Sequence, residues 1–132
     1  MIFGIGTDIV KIKRMRENQQ KYGDRFAKRV LSDTEFSEYN KKANDDIKAS
    51  FLAKRFAAKE AAVKAMGTGF RNGISMKHVT VENDKNGKPI LKLTDVAKKI
   101  ADESGITHKH LSIADESDYA VAYVVMEKTA HG

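Results

Sequence analysis

The stretch Phe51-Leu-Ala-Lys-Arg-Phe-Ala-Ala-Lys-Glu-Ala-Ala-Val-Lys-Ala-Met66 constrains the fold more than any other part of the chain. Alanine and unbranched side chains give it the strongest helix propensity in the sequence, and its small residues allow a neighbouring element to pack closely. Gly67 stands where a left-handed residue would end such a helix. We therefore expect a central helix with the other elements arranged around it. Ile2 to Ile9 reads as a β-branched, glycine-punctuated strand, and the basic segment after it as helix. Ser32-Asp33-Thr34-Glu35 is the signature of a capping box, opening a helix to about Tyr39. Ser75 to Asn83 and Ile90 to Leu93 flank an Asp84-Lys85-Asn86-Gly87-Lys88 turn as a hairpin. Thr94 to Ser104 follows as an amphipathic helix, capped by Thr94 and stopped at Gly105. His110 to Ala114 and Tyr119 to Glu127 form a last hairpin. Hairpins in place of alternating strand and helix units predict an α+β fold, an antiparallel sheet with a central packed helix, in a single domain spanning 1–132.

Composition narrows the chemistry. The chain has no cysteine, which excludes disulfides, thiolate metal sites and cysteine nucleophiles. No apolar run approaches the ~18 residues of a membrane span, and Met1-Ile2-Phe3-Gly4-Ile5 lacks the layout of a signal peptide, so a cytoplasmic protein is expected. The net charge of +6 favours an acidic partner. It is concentrated between Lys11 and Arg29, where eight basic residues stand against Glu17 and Asp24. A solvated helix face explains such a run equally well, with Ile9, Ile12, Met15, Tyr22, Phe26, Val30 and Leu31 as its apolar anchors.

Asp8 and Glu60 break their local patterns. Asp8 ends an apolar strand, where a carboxylate needs a hydrogen bond, a cation or a metal. Capping the next helix would satisfy it. Glu60 lies in the alanine-rich helix, where an i,i+4 pair with Lys64 is the simple explanation. Two separated carboxylates converging on one point would instead suit Mg²⁺, which prefers oxygen ligands, keeps several waters and bridges to phosphates. Lys54, Arg55, Lys59 and Lys64 surround Glu60 and could meet phosphate oxygens, and the loop Gly67 to Gly73 could offer backbone N–H groups. The histidines His78, His108, His110 and His131 form no ligand cluster in sequence.

Three blocks in order, Gly4-Ile-Gly-Thr-Asp-Ile-Val10, Phe56-Ala-Ala-Lys-Glu-Ala61 with Lys64 and Gly67-Thr-Gly69, and His110-Leu-Ser-Ile-Ala-Asp115, resemble the small bacterial holo-acyl-carrier-protein synthases of the 4′-phosphopantetheinyl transferase superfamily. The resemblance implies a homotrimeric α+β protein with active sites between subunits. It implies Mg²⁺-dependent transfer of phosphopantetheine from coenzyme A to a serine of apo-acyl carrier protein, for fatty acid biosynthesis, with release of adenosine 3′,5′-bisphosphate. Carried over by motif, Asp8 and Glu60 become the Mg²⁺ ligands, and Glu60 and Lys64 the catalytic pair. Arg55 and Lys59 face the nucleotide phosphates, and Gly67, Thr68 and Gly69 form the coenzyme loop. Arg14, Met15, Arg25, Phe26 and Arg29 lie where such enzymes receive the acidic helix of the carrier. Lys11 stands where many relatives carry an acid, and Asp115 where some have a histidine. The base that deprotonates the serine stays open between Glu60 and a metal-bound water.

Phosphoryl transfer rests chiefly on positioning and charge neutralisation, and this residue set is sufficient for it. A nucleic-acid-binding module and a non-catalytic adaptor for an acidic helix are the competing readings. Against the first, the basic cluster contains only Tyr22 and Phe26 as aromatics and no recognised binding motif, so neither nucleic acid nor membrane is an expected partner.

Overall fold

The computed structural model describes residues 1–129, and the His131 assignment lies outside them. In chain order the elements are β1 (Ile2–Lys11), α1 (Ile12–Tyr22), α2 (Asp24–Val30), α3 (Asp33–Asn40), α4 (Asp45–Met66), β2 (Val79–Asn83), β3 (Pro89–Leu93), α5 (Asp95–Glu103), β4 (Ile106–Asp115) and β5 (Tyr119–Lys128). Helix α4 contains the expected alanine-rich helix and begins earlier, at Asp45. Asn44 caps it, its side-chain oxygen accepting from Ile47 N–H at 2.9 Å, and Asp45 and Asp46 complement the helix dipole. Gly67 ends it in the left-handed conformation with φ of 80°.

β1, β5 and β4 form an antiparallel sheet in the order β1-β5-β4, and β2 and β3 form a separate hairpin. Alternation along the strands gives the larger sheet two unlike faces. Gly4, Gly6, Asp8 and Val10 of β1 face α4 with Ala120, Ala122, Val124 and Met126 of β5, the last four wholly buried. The glycines permit a very close approach. A Cβ at Gly4 would stand 1.9 Å from the carbonyl oxygen of Ala65, and one at Gly6 1.9 Å from that of Ala61. The opposite face turns Ile5, Ile9, Tyr119 and Tyr123 outward, all exposed.

The α+β class and both hairpins match expectation, with local corrections. The basic segment is two helices, because Gly23 at φ of 60° breaks the chain between α1 and α2. Residues Met76–His78 form a short 3₁₀ turn, so the first hairpin strand begins only at Val79. Thr94 makes no side-chain cap to α5; its hydroxyl donates to the His78 carbonyl at 3.3 Å, and its backbone N–H, donating to the same carbonyl at 2.8 Å, extends the β2–β3 ladder. The last hairpin begins at Ile106, earlier than expected. Among the described residues no helix is long and apolar enough to cross a membrane.

Candidate active site

The close packing of β1 on α4 creates the most reactive-looking cluster of the molecule. Asp8 shares the inward face with Gly4 and Gly6, and the missing Cβ atoms below it let the strand end settle against the last turns of α4. Lys64 Nζ donates to Asp8 Oδ1 at 3.1 Å and to the Thr7 carbonyl at 3.0 Å. Asp8 does not cap α1, whose N-cap position is Lys11 and receives no side-chain hydrogen bond. Glu60 lies one turn before Lys64 on α4. Burial pushes its carboxyl above the ordinary glutamate value, the nearby Asp8 charge adds to this, and Lys64 and Arg14 oppose it more weakly. The simple i,i+4 explanation also fails, because the Lys64 ammonium pairs with Asp8.

Two acids close enough for the Asp8 charge to oppose ionisation of Glu60 mark a place where a cation beyond Lys64 would relieve repulsion. Among the described residues no group of three or more metal-ligating side chains occurs. That excludes a closed protein cage among them, but fits an ion that takes one or two carboxylates and draws its other ligands from water and phosphate, as Mg²⁺ does. The described histidines are engaged singly: His78 Nδ1 accepts from Ser75 N–H at 3.1 Å, His108 meets Thr107, and His110 meets Glu127.

Next to this cluster, α1 and α2 form an open cleft of about 350 Å³ lined by Arg14, Asn18, Tyr22, Arg25, Phe26 and Arg29. The Arg14 guanidinium lies 5.4 Å over the Phe56 ring, and Phe26 packs 6.2 Å from the same ring. Arg14 also acts electrostatically on Glu60, so cleft and acid pair adjoin. Four of the five expected carrier contacts thus share one cleft. Met15 does not: it points from α1 into the core and is 0% exposed, which removes it from any docking surface.

Lys59 is the second correction. It is 0% exposed, and Nζ donates to Glu35 Oε1 at 2.7 Å, to the Met76 carbonyl at 3.0 Å and to the Val79 carbonyl. Burial lowers its pKa, and the Glu35 carboxylate opposes that. With all three ammonium hydrogens engaged inside the protein, Lys59 has none left for a nucleotide. Arg55 is buried, 5% exposed, and borders a groove with Lys42, Lys54, Asn83, Gly87 and Pro89. Its guanidinium stacks 4.5 Å from the Phe51 ring, with Glu35 at 3.6 Å and Glu38 at 3.7 Å. Asp115 pairs with Lys54 at 4.0 Å and accepts from Ser50 Oγ at 3.4 Å.

The coenzyme-loop expectation is also limited by geometry. The amides of Gly67, Thr68 and Gly69 all donate to Lys64 or Val63 carbonyls, closing the end of α4, and the Thr68 hydroxyl donates to the Gly69 carbonyl at 2.8 Å. Those N–H groups are occupied, so a phosphate here would need other donors. Glu35 completes the capping box expected from the sequence, with Ser32 N–H donating to its Oε1 at 2.9 Å, and is in addition a wholly buried junction. A buried lysine within reach of that acid is the signal that could have exposed it, and sequence alone does not show which lysine of α4 turns inward.

The family model for the 4′-phosphopantetheinyl transferase superfamily matches residues 4–124. A holo-acyl-carrier-protein synthase of Vibrio campbellii is 50% identical over 96% of this chain and 98% of its own. One of Nitrosospira multiformis is 48% identical over 97% of this chain and 100% of its own. The crystal structure of the Neisseria meningitidis holo-acyl-carrier-protein synthase superposes with a TM-score of 0.89 at 42% identity, covering 97% of this chain and 100% of that one. That of Bacillus anthracis, in complex with CoA (3′,5′-ADP), superposes with a TM-score of 0.81 at 36% identity, covering 98% and 99%. Matches at this identity over nearly the whole length of both partners leave one assignment: the chain belongs to the holo-acyl-carrier-protein synthases of the 4′-phosphopantetheinyl transferase superfamily.

Proposed function

We propose that this chain, acting as one catalytic domain, transfers 4′-phosphopantetheine from coenzyme A to a serine of apo-acyl carrier protein through a site built on Asp8, Glu60 and Lys64. The observation that carries the assignment is the convergence of β1 and α4, which sets two acids and one lysine together. In the reaction the serine oxygen bonds to the phosphorus that bears the pantetheine arm. The bond from that phosphorus to the bridging oxygen breaks, and adenosine 3′,5′-bisphosphate leaves with the bond's electrons. Asp8 and Glu60 are the residues to hold Mg²⁺, which when bound supplies charge neutralisation at the pyrophosphate. Lys64 has three N–H donors, of which Asp8 and the Thr7 carbonyl take two, so one remains for an oxygen of the leaving phosphate. Glu60, set on α4 beside the Asp8 charge, is the acid that takes the serine proton.

Arg14, Arg25 and Arg29, with Phe26 at the floor of their cleft, receive the acidic helix of the carrier, giving charge complementarity with one apolar anchor. Arg55, with Lys42 and Lys54 beside it, meets a phosphate of the coenzyme. The outward face of the β1–β5 sheet, with Ile5, Ile9, Tyr119 and Tyr123 exposed, is covered by neighbouring subunits in a homotrimer whose sites lie between subunits. The enzyme acts in the cytoplasm and supplies holo-carrier for fatty acid biosynthesis.

The test is intact mass. Apo-acyl carrier protein incubated with this protein, coenzyme A and Mg²⁺ gains the mass of one phosphopantetheine arm, and chelation with EDTA stops the gain. Carrier left at its starting mass would overturn the activity. Undiminished Mg²⁺-dependent turnover by both Asp8→Asn and Glu60→Gln would overturn the site.

A further inference from the structure

Glu35 is the most heavily engaged acid of the molecule, and capping alone does not explain it. A capping box needs one oxygen to accept from the N-cap amide. Here Oε1 accepts from Ser32 N–H at 2.9 Å, from Ser32 Oγ at 3.1 Å and from Lys59 Nζ at 2.7 Å, and Oε2 accepts from Val81 N–H at 2.9 Å. Donors from the N-cap of α3, from α4 and from β2 thus fix the carboxylate on a side chain 1% exposed. Burying an acid with a lysine gains little stability over apolar residues of the same volume, so stability alone is a poor reason to keep the pair.

The remaining side of Oε2 faces Arg55. Its Nε stands 3.6 Å away, beyond hydrogen-bond distance, and is a buried nitrogen with no hydrogen-bond partner. The Phe51 ring supports one face of the guanidinium, and half-exposed Glu38 stands 3.7 Å from its Nη2. Burial works against the charge of Arg55, and the two carboxylates work for it. We propose that Glu35 is a positioning residue for coenzyme binding: a fixed negative charge behind Arg55 that holds the guanidinium against Phe51 with its outer edge toward the groove. The proposal rests on the reading that Arg55 meets a phosphate of coenzyme A.

Arg55 and Glu60 are five residues apart on α4, about 7.5 Å along the axis and roughly 140° around it. Glu35 therefore bears on coenzyme binding and not on the bond being broken at the acid pair, which sends its effect to KM before kcat.

A double-mutant cycle tests this. Glu35→Gln with Lys59→Met removes the buried acid and its counter-ion together, so neither charge is stranded. Arg55→Met removes the positioned group. Each should weaken binding of adenosine 3′,5′-bisphosphate at least about fivefold by calorimetry and raise KM for coenzyme A by a similar factor, with the smaller change in kcat. Combining them should be no worse than Arg55→Met alone. Glu35→Asp is the folding control: it keeps a counter-charge for Lys59, draws the carboxylate away from Arg55, and should also raise KM. Wild-type nucleotide affinity in both Glu35 variants, or effects that simply multiply with Arg55→Met, would overturn the positioning role. Unchanged affinity in Arg55→Met would overturn the Arg55 reading itself, a separate failure.

Discussion

Glu60 sits in an environment that resists its charge, and this has a measurable cost. Its folded carboxyl titrates above the ordinary value of 4.5, through burial first and Asp8 second. The folded chain therefore holds that proton more tightly than the unfolded one. The group favours folding at low pH, and that contribution is lost as the pH rises from the unfolded value through the folded one. Glu60→Gln, which cannot ionise, should raise the melting temperature at pH 7.5 without divalent ions, and the gain should vanish near pH 4. The same variant should lose about 10²-fold or more in kcat, the scale of a removed proton acceptor. A variant that melts lower than the parent at pH 7.5 would show that the Glu60 charge is not strained. Asp8 and Glu60 stood out as acids at the end of an apolar strand and among alanines. A helix cap and an i,i+4 pair would each have explained them, and the family resemblance, not the spacing, grouped them with Lys64. The burial of Lys59 and Met15 was not legible. Lysines 54, 59 and 64 look alike in sequence, and only the packing of α4 against Glu35 and the Met76–Val79 backbone turns one of them inward. Met15 is likewise separated from Arg14 only by the rotation of α1 on the core.

Between elements, the contact of β1 with α4 is what brings the site residues together. Gly6 is surrounded by helix backbone: a Cβ there would meet the Ala61 carbonyl oxygen at 1.9 Å and the Ala65 amide nitrogen at 2.7 Å. Gly6→Ala should cost about 1–3 kcal/mol, typical of overpacking, and should push β1 off the helix. Asp8 would then leave Lys64, so turnover should fall more than the loss of folded protein explains. Because the clash is with main-chain atoms, adding Ala61→Gly should restore neither stability nor turnover. Recovery in that double variant would show that side-chain volume sets the spacing. The alanine-rich helix and both hairpins were readable because propensity, turn chemistry and apolar spacing agree there. The early start of α4 at Asp45, the break at Gly23 and the 3₁₀ turn before Val79 were not, since each depends on a local backbone choice that several sequences would permit. Thr94 carries a good capping residue's chemistry, yet the end of the β2–β3 ladder claims its hydroxyl.

At the scale of the whole molecule the two faces of the sheet present different problems. The inner face is sealed by α4, while the outer one pairs Ile5 with Val125, Thr7 with Tyr123 and Ile9 with Val121 across β1 and β5. Ile9 is 64% exposed, Ile5 55% and Tyr123 53%, a contiguous apolar surface that a monomer would leave in water. Strand alternation predicts an outward row, but the family resemblance, and not the spacing, suggested what covers it. Association through this face would stand one subunit's β1 and β5 beside another's, and the proposed reading places the catalytic sites between subunits. Association and catalysis should therefore fail together. Wild-type protein should elute at about three times the chain mass of 14.7 kDa. Ile9→Lys, whose side chain points away from α4 and leaves the inner packing untouched, should shift the protein to a smaller species with unchanged secondary structure and carry off most of the transferase activity. A smaller species that transfers at the parental rate would show that each chain holds a complete site, and that the apolar face serves something other than assembly of the enzyme.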